Sequence, residues 1–238
     1  MNSFFGLRIT SGHLHQMGLL DLLFPRRCVS CGRIGKYICP RCFPKIKFIQ
    51  HQLCPVCGKA AIDGITHPYC WGRYRMDGMF AACHYQGVVK QAIHLLKYRQ
   101  VSDLVTELSL LLFESYPKTI PKLDLLIPVP LHFRREKERG FNQSFLLAKS
   151  LGKKLGIPVK NNILKRIRYT KPQADLKREK RLDNIRNVFV CSQNGPLRGK
   201  TIGLVDDVAT TFATINECCR VLKQAGAKAV WGIVLAHG

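Results

Sequence analysis

Two adjacent carboxylates, Asp206 and Asp207, close an apolar run over 201–205. Thr210, Thr211, Phe212, Ala213 and Thr214 follow, and then an amphipathic segment over about 215–224. A buried strand that enters a helix through a hydroxyl-rich turn brings acids, hydroxyls and free backbone N–H groups to one point. Carboxylates suit the vicinal hydroxyls of a ribose. The helix start suits a phosphate, because its first N–H groups lack intrahelical acceptors and the helix dipole favours an anion. These residue types describe a 5-phosphoribosyl pocket, with Asp206 and Asp207 as its catalytic acids and residues 210–214 as its phosphate loop.

The stretch resembles the phosphoribosyl-pyrophosphate (PRPP) motif of type I phosphoribosyltransferases, in which a strand, two acids, a short spacer, Thr-Thr-Gly and a small hydroxyl residue follow one another. Phe212 stands where that family has glycine. Glycine there permits positive φ and close approach of backbone to phosphate, and a phenylalanine opposes both. The expectation is a weakened site in which Phe212→Gly gains affinity.

Other cations are available to such a ligand. Lys97 lies in the run Leu95-Leu96-Lys97-Tyr98-Arg99 at a predicted helix end. Arg134, Arg135 and Arg139 lie in a segment entered by prolines and stopped by Gly140, read as an Arg-rich loop. The three guanidiniums bind phosphate oxygens in pairs and the Lys97 ammonium adds a point charge, so these four residues are the candidates for pyrophosphate. The irregular stretch 161–186 holds nine bases against three acids, a difference of six, and reads as a basic hood over an anion site. No Ser-His-Asp arrangement gives the histidines a catalytic role; His132 shares the Arg-rich loop. The near-Walker run 194–201 leads into a strand rather than a helix, so it reads as a turn.

Seven of the eleven cysteines fall between Cys28 and Cys70. Six form Cys-x-x-Cys pairs: Cys28/Cys31, Cys39/Cys42 and Cys54/Cys57. Such turns aim two thiolates at one tetrahedral ion, which is zinc spacing. The first two pairs make one structural site. For the third pair, Arg73 occupies the position expected of a mate to Cys70, but His67 stands three residues before Cys70. A second site from Cys54, Cys57, His67 and Cys70 follows, although spacing leaves interleaved pairing open. Cys83, Cys191, Cys218 and Cys219 read as small core side chains.

The elements that carry these groups follow from pattern. Strands are expected over 80–85, 124–129, 187–191, 201–205 and 230–235, and helices over 88–98, 102–116, 141–155 and 215–224, with a short amphipathic helix over 14–24. Alternating strands and helices imply an α/β fold, a mostly parallel sheet with helices on both faces, whose ligands bind beyond the carboxyl ends of strands. A composition shift near 76–79 divides the chain into an N-terminal helix and zinc module, 1–78, and an α/β domain, 79–238.

With 238 residues, 46% hydrophobic and 22% charged, the chain buries a core and is not a disordered polyelectrolyte; a formal charge of +23 calls for polyanionic partners. No apolar run reaches the length of a membrane span, and the N-terminus lacks secretory features, so a cytoplasmic location is expected.

Nearly the whole length resembles the ComF family. The likeness rests on the Cys-x-x-Cys module, Leu96-Lys97-Tyr98, Arg139-Gly140-Phe141-Asn142-Gln143-Ser144, Thr170-Lys171-Pro172-Gln173, Arg181 with Asn184, and the Asp-Asp loop. It departs at Phe212, Arg73 and Gln100. The resemblance implies a type I phosphoribosyltransferase-like domain behind a zinc-ribbon module, with Asp206 and Asp207 on ribose hydroxyls, residues 210–214 on the 5-phosphate and Lys97 in the pyrophosphate loop. It also implies a role in uptake of transforming single-stranded DNA. Three functions follow: a protein binding PRPP or a related ligand in DNA uptake, an active Mg²⁺-dependent phosphoribosyltransferase, or a non-catalytic nucleic-acid adaptor. Expected partners are a phosphoribosyl ligand, single-stranded DNA and a helicase or DNA-uptake protein, with structural Zn²⁺ and, in an active enzyme, Mg²⁺ with PRPP.

Overall fold

The computed structural model describes residues 25–98, 101–170, 185–192 and 197–238. Its strands are β1 (Gly78–His84), β2 (Leu125–Pro128), β3 (Leu164–Arg166), β4 (Phe189–Cys191), β5 (Thr201–Ala209) and β6 (Ala229–His237). Its helices are α1 (Gly87–Tyr98), α2 (Leu104–Glu114), α3 (Phe133–Arg139), α4 (Gln143–Leu155) and α5 (Ala213–Gln224). Four strands form one sheet in the order β1-β6-β5-β2, parallel at every pairing. The expected fold, a parallel sheet between helices behind a Cys-rich module, is the one observed.

Alternation along each strand explains the two layers. Phe80, Ala82, Leu126, Val205, Ile233 and Leu235 face a core shared with α1, α2 and α4. Their neighbours Met79, Ala81, Ile127, Leu204 and Val234 face α5 and the β3–β4 ribbon. A sheet covered on both faces needs apolar residues at every position, which is why these strands read as continuous runs. Residues of α1 repeat helically, with Val88, Val89, Ala92, Ile93 and Leu96 buried.

Three expectations are corrected. First, β5 continues four residues past 205, because β6 stays extended beside it: Asp206 pairs with Val234, Val208 with Ala236 and Ala209 with His237. Both acids therefore lie inside the strand. Second, the segment 187–191 does not join the sheet. Asn187 sits at φ 54° and breaks the extended chain, and Phe189–Cys191 pairs antiparallel with β3, a strand within the stretch expected to be irregular. Third, the Arg-rich loop is the helix α3. The His132 side chain accepts from Arg134 N at 3.3 Å, and Gly140, at φ 76°, ends the helix in the left-handed conformation.

Cys83, Cys218 and Cys219 are buried as expected, whereas Cys191 is half-buried. The expected helix over 14–24, Arg99, Gln100, Gln173, Arg181, Asn184 and the turn at 194–196 lie outside the described residues.

Candidate functional site

The run Arg139–Ser144 builds the site. Asn142 caps α4 by accepting from Ser144 N at 2.9 Å and Phe145 N at 3.3 Å, and its Nδ2 donates to the Val129 carbonyl at 3.1 Å. One side chain thus fastens the start of α4 to the chain leaving β2. Gln143 and Ser144, in the first turn, are thereby delivered to β5. Ser144 Oγ donates to Asp206 Oδ1 at 2.6 Å, and Gln143 Nε2 donates to Asp207 Oδ1 at 3.3 Å. Arg139 Nη1 donates to Gln143 Oε1 at 3.1 Å and its guanidinium lies 5.5 Å from the Tyr98 ring. Asn142, Gln143 and Ser144 were not among the residues singled out as ligand contacts. Their signal was an N-cap asparagine just past a helix-ending glycine.

Lys97, from the last turn of α1, completes the cluster with its Nζ 2.6 Å from Asp207 Oδ2. Burial works against the Lys97 charge, but Asp207 outweighs it and holds the ammonium above its ordinary value. Burial likewise opposes the Asp207 charge, and Lys97 prevails and holds that carboxyl below the usual range. Among the described residues Asp206 has no cation within ion-pair distance. Burial, and then the Asp207 charge beside it, push its carboxyl up to about 7. Two adjacent acids are so divided, with Asp207 held toward its ionised form by Lys97 and Asp206 shifted toward its protonated form.

The phosphate loop follows directly. Asp206 and residues 208–215 line a concavity at the N-terminus of α5. Phe212 caps this helix at φ 58° and ψ 0°, the left-handed conformation a glycine would adopt. For a non-glycine residue that conformation costs about 1–2 kcal/mol. Packing opposes the cost. The ring is buried and stacks on His237 with centroids 4.6 Å apart, while His237 Nδ1 lies 2.6 Å from the Ala209 carbonyl. The expectation that phenylalanine opposes positive φ is thus overridden by tertiary contacts. Among the described residues Thr211 Oγ1 is buried in this loop without a hydrogen-bond partner, a state that costs about 1–3 kcal/mol unless a ligand fills it.

Of the four cationic candidates, Lys97 and Arg139 join the acids. Arg134 and Arg135 turn instead to Tyr169, with guanidiniums 5.8 and 5.4 Å from its ring, and Arg135 Nη2 donates to the Thr170 carbonyl at 2.6 Å.

Both expected metal clusters assemble. Cys28, Cys31, Cys39 and Cys42 bring four sulfurs together, and Cys54, Cys57, His67 and Cys70 bring three sulfurs and a ring nitrogen, with ligand atoms within 4.8 Å of one another in each. In the second cluster His67 Nε2 faces the Ala60 carbonyl at 3.0 Å while Nδ1 lies 3.3 Å from Cys57 Sγ. A carbonyl only accepts, so the proton belongs on Nε2, the orientation that zinc-binding histidines favour, and the Nδ1 lone pair faces both Cys57 Sγ and the Tyr69 hydroxyl, 3.0 Å away, which a bound ion would displace. Cys₄ and Cys₃His sets suit structural Zn²⁺.

The clusters are tied to different parts of the α/β domain. Glu107 of α2 accepts from Tyr37 N at 3.1 Å and Ile38 N at 2.8 Å beside the first. Asn216 Nδ2, one turn into α5, donates to the Pro55 carbonyl at 2.9 Å beside the second.

Fold and site together define an α/β protein, a parallel sheet between helices, with two Cys-rich metal clusters at its N-terminal end. Residues 19–74 match the double zinc ribbon domain family. Competence protein F of Haemophilus influenzae is 30% identical over 227 residues, spanning 83% of this chain and 96% of that one. The DNA utilization protein YhgH of Escherichia coli K12 is 32% identical over 209 residues, 85% of each chain, and competence protein ComFC of Bacillus subtilis is 29% identical over 79% of each. The chain belongs to the ComF family, that of competence protein F, ComFC and YhgH. Among solved structures it is similar to an allosteric regulatory enzyme of purine biosynthesis, at 20% identity over 57% of this chain and 25% of the other with a TM-score of 0.38. It is similar also to adenine phosphoribosyltransferase from Leishmania donovani, at 15% identity over 57% and 53% with a TM-score of 0.35.

Proposed function

We propose that the protein binds PRPP or a related phosphoribosyl ligand at the β5–α5 junction and acts there in the handling of single-stranded DNA. The observation that carries this reading is the buried Thr211 hydroxyl, without a partner among the described residues, in a helix-start loop whose backbone already has the glycine-like turn, two residues after the strand that bears Asp206 and Asp207. The 5-phosphate accepts from Thr211 and from the first N–H groups of α5. Asp206 and Asp207 accept from the ribose hydroxyls. Asp206 and Asp207 are also the groups here that would hold Mg²⁺, which supplies charge neutralisation to a departing pyrophosphate. Lys97 and Arg139 meet pyrophosphate oxygens.

The wider role rests on the family and on charge. Relatives carry the names competence protein and DNA utilization protein, and this chain has a formal charge of +23. Exposed Tyr98, Phe133 and Tyr169 each lie beside an arginine of α3. Alternating guanidiniums and aromatic faces suit stacked bases and a phosphate backbone.

Calorimetric titration of the zinc-loaded protein with PRPP and Mg²⁺ tests the site. Binding is expected, weakened about tenfold or more in the near-isosteric Thr211→Val, which removes one hydrogen bond to a charged ligand, and lost in Asp206→Asn/Asp207→Asn. PRPP binding that is undetectable, or indifferent to these changes, would overturn the reading. For single-stranded DNA, affinity is expected to fall steeply with salt as phosphates release counterions.

A further inference from the structure

Among the described residues, Arg135 and Arg166 converge on one residue with no acid between them. Arg135 Nη2 donates to the Thr170 carbonyl at 2.6 Å, and Arg166 Nη2 donates to the Thr170 hydroxyl at 2.5 Å. Arg166 projects from β3 with its guanidinium 5.4 Å from the Phe189 ring of β4, and its Nε is buried without a hydrogen-bond partner among the described residues. Among the described residues neither arginine has a carboxylate within ion-pair distance.

The cluster is held together against its own repulsion. Burial, and then Arg135, push the Arg166 guanidinium below its ordinary value. Burial together with Arg134, Arg166 and Arg135 holds His132 down as well. The carboxylate whose charge opposes this at Arg166 is that of Asp206. Converging cations and an unsatisfied guanidinium N–H are costly to bury unless an anion bridges them. A tetrahedral oxyanion answers both, because the Nε–Nη edge of a guanidinium matches two of its oxygens.

We propose that Arg166, through its Nε edge, and Arg135 bind a phosphoryl group at a site separate from the α5 loop, so that the protein holds two phosphate-type groups within electrostatic reach of Asp206. The ligand is then a second phosphorylated compound and not a free nucleobase. Its phosphoryl group belongs either to a nucleotide monoester or to a diester of a nucleic-acid strand. This site stands on Arg135 and Arg166 and does not require the phosphoribosyl reading.

Proton–nitrogen correlation spectra of the full zinc-loaded chain, titrated with inorganic phosphate, test it. The Nε–H signal of Arg166, identified by its loss in Arg166→Lys, is expected to shift saturably, and the affinity read there to fall about tenfold in Arg135→Gln, as expected for one charge-assisted hydrogen bond. Backbone N–H signals of Ala213 and Thr214 report the α5 loop independently, so failure of either site leaves the other legible. Thymidine monophosphate and an oligothymidylate without a terminal phosphate separate the sources. Saturable response to the first alone assigns a nucleotide, and to the second alone a strand. An Arg166 signal unmoved by all three ligands, or moved equally in Arg135→Gln, overturns the proposal.

Discussion

Lys97 Nζ lies 2.6 Å from Asp207 Oδ2 and so joins the last turn of α1 to the carboxyl half of β5. Both groups are largely withdrawn from water, with side-chain exposures of 19% and 3%. In such a setting each charge is tolerable because of the other. Lys97→Met is therefore expected to destabilise the protein by about 3–5 kcal/mol, because it strands a buried carboxylate. Lys97→Met/Asp207→Asn should recover much of that loss. Denaturant unfolding of the two single variants and the double variant measures the coupling, and additive losses would show that the pair is not coupled.

Asp206 gives the site a pH dependence of definite sign. Its carboxyl is raised in the folded state to about 7 from an ordinary value of 3.8. Between those values the folded protein holds a proton that the unfolded chain has released, so this group's contribution to stability falls as pH rises across that window. Asp207 acts oppositely. Its carboxyl is lowered in the folded state, so its contribution is present above its ordinary value and is lost in acid. Asp206→Asn should flatten the stability slope between pH 5 and 7, within the window set by the Asp206 shift. An unchanged slope in that variant would place the titration elsewhere.

Phe212→Gly separates backbone from ring. The loop already holds the left-handed turn, so glycine has little conformational advantage left to add for a phosphate. The buried ring and its stack on His237 are lost. Weighing about 3–5 kcal/mol for the ring against about 1–2 kcal/mol of strain relieved, the net expectation is a loss on the order of 2 kcal/mol. Phosphate affinity should change by no more than a few fold. A large gain in affinity on calorimetry would restore the view that Phe212 obstructs the loop.

Zinc analysis of purified protein should return two ions per chain, with Cys28→Ser and Cys54→Ser each removing one. Binding free energies of about 10–16 kcal/mol are typical of small zinc modules, so each loss is expected to unfold its own knuckle. The first knuckle shares the core of α1, α2 and α4, and Cys28→Ser should lower the melting temperature of the whole chain. Cys54→Ser should instead be felt at α5, through Asn216 and Pro55. Amide exchange resolves the two: faster exchange confined to residues 25–70 in both variants would contradict this coupling.

The sequence by itself determined the periodic and the covalently patterned features. Apolar runs and helical repeats specified the doubly covered sheet, and Cys-x-x-Cys spacing with His67 specified the candidate ligands, because local turns bring the members of each pair together; which pairs share one cluster was left to the tertiary structure. Asp206, Asp207 and the hydroxyls after them were legible for the same reason: strand, turn and helix are consecutive. Tertiary structure decided what depends on partners distant in sequence. Strand β5 runs through its acids because β6 lies beside it. Asp206 and Asp207 differ in proton affinity because Lys97, more than a hundred residues earlier, reaches only one of them. Phe212 keeps a glycine's conformation because His237, at the far end of the chain, receives its ring. Arg135 and Arg166 meet only because α3 and β3 pack on either side of Thr170. Local propensity argued against Phe212 at positive φ and had no bearing on the other three, since burial and long-range pairing set free energies that exceed the local preferences a sequence displays.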